Sequence, residues 1–209
     1  MKTKALACAL LCSVLALPAQ AAEFKGLYLS GSLGMTMTND ADYDISGVKG
    51  DIEIDDTVNF SGALGFRLSE RFRTELELSY RNADLERASI DGVGSAPVGG
   101  DLTTVSGLVN VYFDMMPDKK LSPYLTAGAG IAHHNGEINS IGAIGFSGVD
   151  ESDTVFAYQL GGGLNYSIGE KTSIFGGYRY FGSADPDLDG LEAEYDAHEI
   201  RIGVNYKLN

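Results

Sequence analysis

Asp185, Asp187 and Asp189 alternate along one short stretch and are followed at once by Gly190. Carboxylates at every second position with a glycine for the sharp turn open a calcium loop of the EF-hand type. The twelfth position of that loop is Asp196 rather than Glu, and no helical pattern flanks it. A solvated acidic turn is the plainer reading, and calcium at Asp185, Asp187 and Asp189 is the one metal expectation. The three histidines are His133, His134 and His198. Adjacent residues on a strand point to opposite faces, so His133 and His134 chelate one ion only where the strand has ended. Ser183 and His198 supply a hydroxyl and an imidazole near the end of the chain, as hydrolytic chemistry on a lipid would require, but no nucleophile motif surrounds them. The stretch Gly128-Ala129-Gly130-Ile131-Ala132-His133 nearly spells a dinucleotide fingerprint. That motif needs a helix starting at the glycines and a glycine where His133 stands. Small residues on a strand account for it.

The elements that must position these groups begin after an export signal. Lys2 and Lys4 precede an apolar run over residues 5–17, and Pro18-Ala19-Gln20-Ala21 forms a cleavage site. The run is shorter than the roughly 20 residues of a membrane-spanning helix. Residues 1–21 are therefore expected to be a cleavable signal peptide and residues 22–209 one domain. Both cysteines, Cys8 and Cys12, fall inside the signal, so disulfides and thiolate metal sites are excluded from the remainder. The formal charge of -14 becomes -16 when the two signal lysines go. Such acidity excludes nucleic acid, whose binders need basic patches.

Nothing beyond the signal sustains a helical period, whereas period 2 recurs eight times. The predicted strands cover residues 27–37, 58–68, 72–81, 102–114, 123–133, 154–168, 172–181 and 198–208. Lengths near ten suit a tilted crossing of a bilayer. Connections 69–71, 115–122 and 169–171 are short or moderate. Connections 39–57, 82–101, 134–153 and 182–194 are long and mostly polar. Short turns on one side and long loops on the other are the outer-membrane arrangement. Open sheet edges do not exist in lipid, because their unpaired backbone groups find no water. The pattern thus predicts an all-β, eight-stranded antiparallel up-and-down transmembrane barrel with its apolar side outward.

The last strand shows the division: Ile200, Ile202, Val204, Tyr206 and Leu208 outward, with Glu199, Arg201 and Lys207 inward. An eight-stranded lumen is just wide enough for side chains to fill it. There Arg67, Arg73, Arg81, Arg179 and Arg201 are expected to meet Glu75, Glu77 and Glu199 in an ion network. Inward glycines (Gly65, Gly161, Gly163, Gly177, Gly203) are expected to make room for those long charged side chains. A soluble barrel with the apolar side inward explains the alternation too. It leaves unexplained the charges of both signs on one face.

Three stretches carry a family resemblance: SPYLTAGAGIAHHN (residues 122–135), FAYQLGGGLNYSIGEKTSIFGGYRYF (156–181) and HEIRIGVNYKLN (198–209). With them the chain resembles the small eight-stranded outer-membrane barrels of Gram-negative bacteria, of the porin-like surface-antigen and opacity type, similar to the OmpA/OmpX barrels. The chain departs from that family in ending Leu208-Asn209 rather than on an aromatic residue, and in having no Trp.

The resemblance implies an outer-membrane location and a structural, adhesive or antigenic role rather than catalysis. The expected partners are outer-membrane lipid and lipopolysaccharide, the barrel assembly machinery and an external surface ligand, with the barrel itself a monomer. No cofactor is expected beyond the calcium alternative. The competing functions are a small-solute channel, which needs a continuous water path, and a lipid-modifying enzyme using Ser183 and His198.

Overall fold

A computed structural model describes residues 26–208, except 39–40, 46–47, 55, 91–93, 98–99, 139–148, 185–186, 189–190 and 193–194. Eight long strands form the barrel. They are β1 (Leu27–Thr38), β2 (Thr57–Arg67), β3 (Phe72–Ile90), β4 (Gly100–Asp114), β5 (Leu121–Ile138), β6 (Val149–Ser167), β7 (Thr172–Ser183) and β8 (Tyr195–Lys207). Each pairs antiparallel with its sequence neighbour, and β1 pairs with β8 to close the ring. Following paired residues once around shows the stagger. Leu27 leads through Phe66, Thr74, Val111, Ala127, Leu160, Tyr180 and His198 to Met37, ten residues up the strand it started from. With eight strands, that shear tilts them by roughly 40°.

Short turns close the lower rim. Ser69 Oγ accepts from the backbone N–H groups of Arg71 and Phe72, at 3.3 and 3.1 Å, and fixes the β2–β3 turn. Gly26 leads into β1 with φ of 93°, a left-handed conformation that costs glycine little. A Cβ there would lie 2.8 Å from Arg67 Cβ, and the Gly26 carbonyl accepts from Arg67 N at 3.1 Å. Glycine is thus required where the chain enters the barrel.

The faces are inverted relative to a soluble protein. Ile202 is 66% exposed and Leu78 65%, while Glu77 and Glu199 are wholly buried. The outward surface is a band of Leu, Ile, Val, Phe and Tyr. In the absence of Trp, aromatic residues mark its margins: Phe72 and Phe113 touch at 5.3 Å near the short turns, and Tyr158, Tyr178 and Tyr180 gather near the opposite rim. Such a band faces lipid, where tyrosine suits the wet boundary.

The expected strand positions hold, but strands continue into segments expected to be loops. β3 extends to Ile90, β5 to Ile138, β6 starts at Val149, and a hairpin of Ala41–Ile45 with Val48–Ile54 pairs onto upper β3. Gly94–Pro97 also pairs onto β3, and Asp187–Leu188 pairs with Leu191–Glu192. Beyond the lipid-facing band both sides of a hairpin meet water. The backbone still pairs, but the side chains lose the apolar alternation by which a strand is recognised. The proposed signal peptide lies outside the described residues.

Candidate functional site: the lumenal ion network

Alternation along tilted strands sends every second side chain inward, and here those positions hold charges. Five of the eight expected residues meet at mid-height. Arg179 Nη1 donates to Glu77 Oε1 at 2.6 Å, and Arg201 Nη1 to Glu77 Oε2 at 3.2 Å. Glu199 takes Arg81 Nε on one oxygen and Arg179 Nε on the other, both at 2.6 Å. Arg179 therefore bridges two carboxylates, one from β3 and one from β8. Two further donors find hydroxyls: Arg81 Nη1 reaches Ser79 and Ser106, and Arg201 Nη2 reaches Ser32 at 2.8 Å, while Arg81 Nη2 and Arg201 Nε are buried without a hydrogen-bond partner. Above this group the Arg81 guanidinium lies over the Phe181 ring, 4.1 Å from its centroid.

The other three expected residues form a second cluster nearer the short turns. Arg73 Nη1 donates to Glu75 Oε1 at 2.8 Å and to the Tyr28 hydroxyl at 2.9 Å, and Tyr28 donates to the same Glu75 oxygen at 2.7 Å. Arg73 Nε and Arg67 Nη1 share Asp114, each at 3.3 Å. The expected single network is thus two, and Asp114 is a member that sequence reasoning missed. Its parity with Asn110 and Tyr112 on β4 was the available signal. Together the clusters set five guanidinium groups against four carboxylates. Hydrogen bonds of this charged kind are short and strong, and each group buried without a partner costs several kcal/mol.

The inward glycines serve a different neighbour from the one expected. A Cβ on Gly65 would collide with the Tyr28 ring, one on Gly203 with Phe175, and one on Gly177 would lie 2.5 Å from the Tyr124 hydroxyl. A Cβ on Gly161 would first meet the Tyr178 backbone carbonyl, at 2.6 Å, with Arg179 Cβ at 3.3 Å, and one on Gly163 would first meet the Gly176 carbonyl. Inward aromatic rings and the backbone of the facing strand, not charged chains, need these gaps. Tyr28, Tyr112 and Tyr124 surround Arg73, whose guanidinium lies 3.9 Å from the Tyr112 centroid. Gly65→Ala is therefore expected to destabilise the barrel by about 1–3 kcal/mol through overpacking. A urea titration against the parent barrel in the same lipid checks this.

The remaining candidates separate. His134 points inward and its Nδ1 meets Thr104 Oγ1 at 2.9 Å, while His133 points outward to Thr154 Oγ1. His198 is on the outer wall with Nδ1 against the Tyr178 hydroxyl at 2.5 Å. Among the described residues no three His, Cys, Asp or Glu side chains converge as a metal site. Asp185 and Asp189 lie outside the described residues, as does the side chain of Asp187. Ser183 lies on the buried lumenal face of β7 and His198 on the outer face of β8. The barrel wall stands between them, which removes them as a catalytic pair. Gly128 to His133 lies within β5, so the helix a dinucleotide fingerprint needs is missing there.

The model of the outer membrane protein beta-barrel domain family matches residues 6–207. The chain belongs to that family. Its place is the outer membrane. Outer membrane protein PagN of Salmonella typhimurium is 24% identical over 88% of this chain and 86% of its own length. Among solved structures, OprG of Pseudomonas aeruginosa superposes with a TM-score of 0.60 at 17% identity, covering 88% of this chain and 96% of that one. Neisserial surface protein A superposes with a TM-score of 0.56 at 15% identity, covering 88% and 98%. At those identities the two structures attest the fold, an eight-stranded closed barrel of the outer-membrane type.

Proposed function

We propose that this barrel is a non-enzymatic anchor with a closed lumen, presenting its long acidic hairpins outside the cell for adhesive or antigenic contact. The observation that carries the closed lumen is the mid-height group of Glu77, Glu199, Arg81, Arg179 and Arg201, in direct contact and buried. A side-chain-filled lumen is the usual state of eight strands. Charge placement supports the surface role. Connections 39–57, 82–101, 134–153 and 182–194 hold 20 of the 29 acidic residues but only Lys49 and Arg87 of the 15 basic ones. With short turns on the periplasmic side, as in this class, that acidity faces outward and favours cationic partners. They include basic protein surfaces and the divalent ions that neutralise lipopolysaccharide. Lipid, lipopolysaccharide and the barrel assembly machinery are the remaining partners of this reading, with the barrel a monomer.

Planar-bilayer recording of the refolded barrel is the test. The expected result is an absence of stable openings. Reproducible openings of fixed size would replace the anchor with a small-solute channel. Calcium at Asp185, Asp187 and Asp189 is a separate arm, decided by calorimetric titration of the refolded barrel with calcium; no heat of binding would remove it.

A further inference from the structure

Between the short turns and the Arg73 cluster the lumen opens into a polar well that the ion network does not fill. An outer chamber of about 250 Å³ lies at the short-turn rim. A second, of about 40 Å³, lies deeper, and Arg67, Asn165, Ser173 and Lys207 line both. One water needs roughly 10–15 Å³ on this measure, so the inner chamber takes a group of a few heavy atoms. Its charged lining is entirely cationic: Arg67, Arg73 and Lys207. Behind the inner wall Glu75 accepts from Arg73 and Tyr28, and the lining carboxylates occur farther out. Of these, Asp114 is held on both oxygens by Arg67 and Arg73, and Glu70 and Asp118 line the outer chamber.

Two features of this chamber suit a ligand. Lys207 is exposed, and its Nζ donates to the Glu170 carbonyl at 3.3 Å, which leaves two of its three donors open to water or an anion. Asn205 is only 9% exposed, and its Nδ2 is engaged by Asn165 and Ser173, at 3.2 and 3.4 Å. Its Oδ1 is buried with no partner. Buried acceptors are nearly always satisfied. The chamber therefore offers positive donors for an anion and, beside them, an acceptor that an anion alone leaves empty.

We propose that this well binds a small carboxylate bearing an N–H or O–H donor on the adjoining atom, the chemistry shared by a free amino acid and a peptide C-terminus. The carboxylate faces Arg67 and Lys207, and the neighbouring donor satisfies Asn205 Oδ1. The outer chamber holds whatever follows, and its mixed charges suit either source.

The test is amide-shift NMR of the refolded full-length barrel in micelles, titrated with N-acetylglycine, glycine and acetate. Saturable shifts at Asn205, Ser173 and Lys207 with N-acetylglycine are expected, with acetate about tenfold weaker for want of the donor. Glycine separates the two sources: tighter binding than N-acetylglycine assigns the free amino acid, and weaker binding the peptide C-terminus. Asn205→Asp keeps the side-chain shape and adds a repelling charge, so it is expected to weaken binding by at least about tenfold, as is Lys207→Gln to a smaller degree. Gel mobility of unheated samples verifies that both variants are folded. Absence of saturable shifts, equal affinity for acetate, or unchanged affinity in folded Asn205→Asp would each overturn the proposal.

Discussion

Glu199→Gln is expected to lower the unfolding free energy of the barrel by about 3–5 kcal/mol, the usual penalty for breaking a buried ion pair from one side. The change is small in shape. It leaves Arg81 and Arg179, both almost fully buried, facing an amide in place of a carboxylate that accepts from each at 2.6 Å. Removing both ends of one pair should cost less than the single changes sum to, so Arg81→Leu with Glu199→Leu is expected to show a favourable coupling. Arg179 survives that double change because Glu77 still holds it, at 2.6 Å. Urea titration in phospholipid vesicles, read by heat-modifiable electrophoresis, supplies the numbers. A loss below about 1 kcal/mol would mean the pair behaves as a solvated surface bridge and would remove the network as the element closing the lumen.

Ile202→Lys provides the second large effect, and its sign depends on what solvent meets the outer wall. Ile202 is among the most exposed apolar side chains, at the middle of β8. In water, replacing an exposed isoleucine with lysine is nearly neutral. At the midplane of a bilayer it is expected to cost about 2–4 kcal/mol, falling to about 0–1 near the interface. Leu208→Lys, at the short-turn end beyond β8, is the depth control on the same outward-facing row. Equal and negligible costs at both positions in lipid vesicles would contradict a lipid-facing wall.

Most of the barrel was legible because two constraints act on every residue of a lipid-facing strand. One face must be apolar for the bilayer, and the other must be polar where charges fill the lumen. Ile200, Ile202 and Val204 against Glu199, Arg201 and Asn205 make this plain. Legibility failed where only one constraint acts. Above the band the backbone pairing continues while the sequence loses its apolar alternation, so the pattern ends β5 at His133 whereas the strand continues to Ile138. Within the lumen, parity assigns a face but not a partner. Tyr28 shares a face with Ser30 and Ser32, yet only the three-dimensional register brings its ring over Gly65 and its hydroxyl to Glu75. The same limit divided the expected network in two, because whether Glu75 or Glu77 reaches Arg179 depends on height in a tilted barrel. The separation of Ser183 from His198 was the reverse case, since their faces follow from parity once the strands are placed.

The seam between β1 and β8 joins Tyr28 to Lys207 and Met37 to His198, so the earliest and latest strands of the barrel are neighbours. Glu199 is carried by that last strand, and its partners Arg81 and Arg179 come from β3 and β7. Arg179 faces Glu199 across the β7–β8 pairing itself, but until the ring closes Arg81 lacks Glu199 and Arg179 lacks Glu77, and both need water there. Before insertion, the same residues keep every strand half hydrophilic and so restrain the chain from collapsing or aggregating in the aqueous compartment it crosses. Docking of the final strand is then a commitment step, in which groups that had served as solubilisers become the lock, and the chain exchanges one solvent for another.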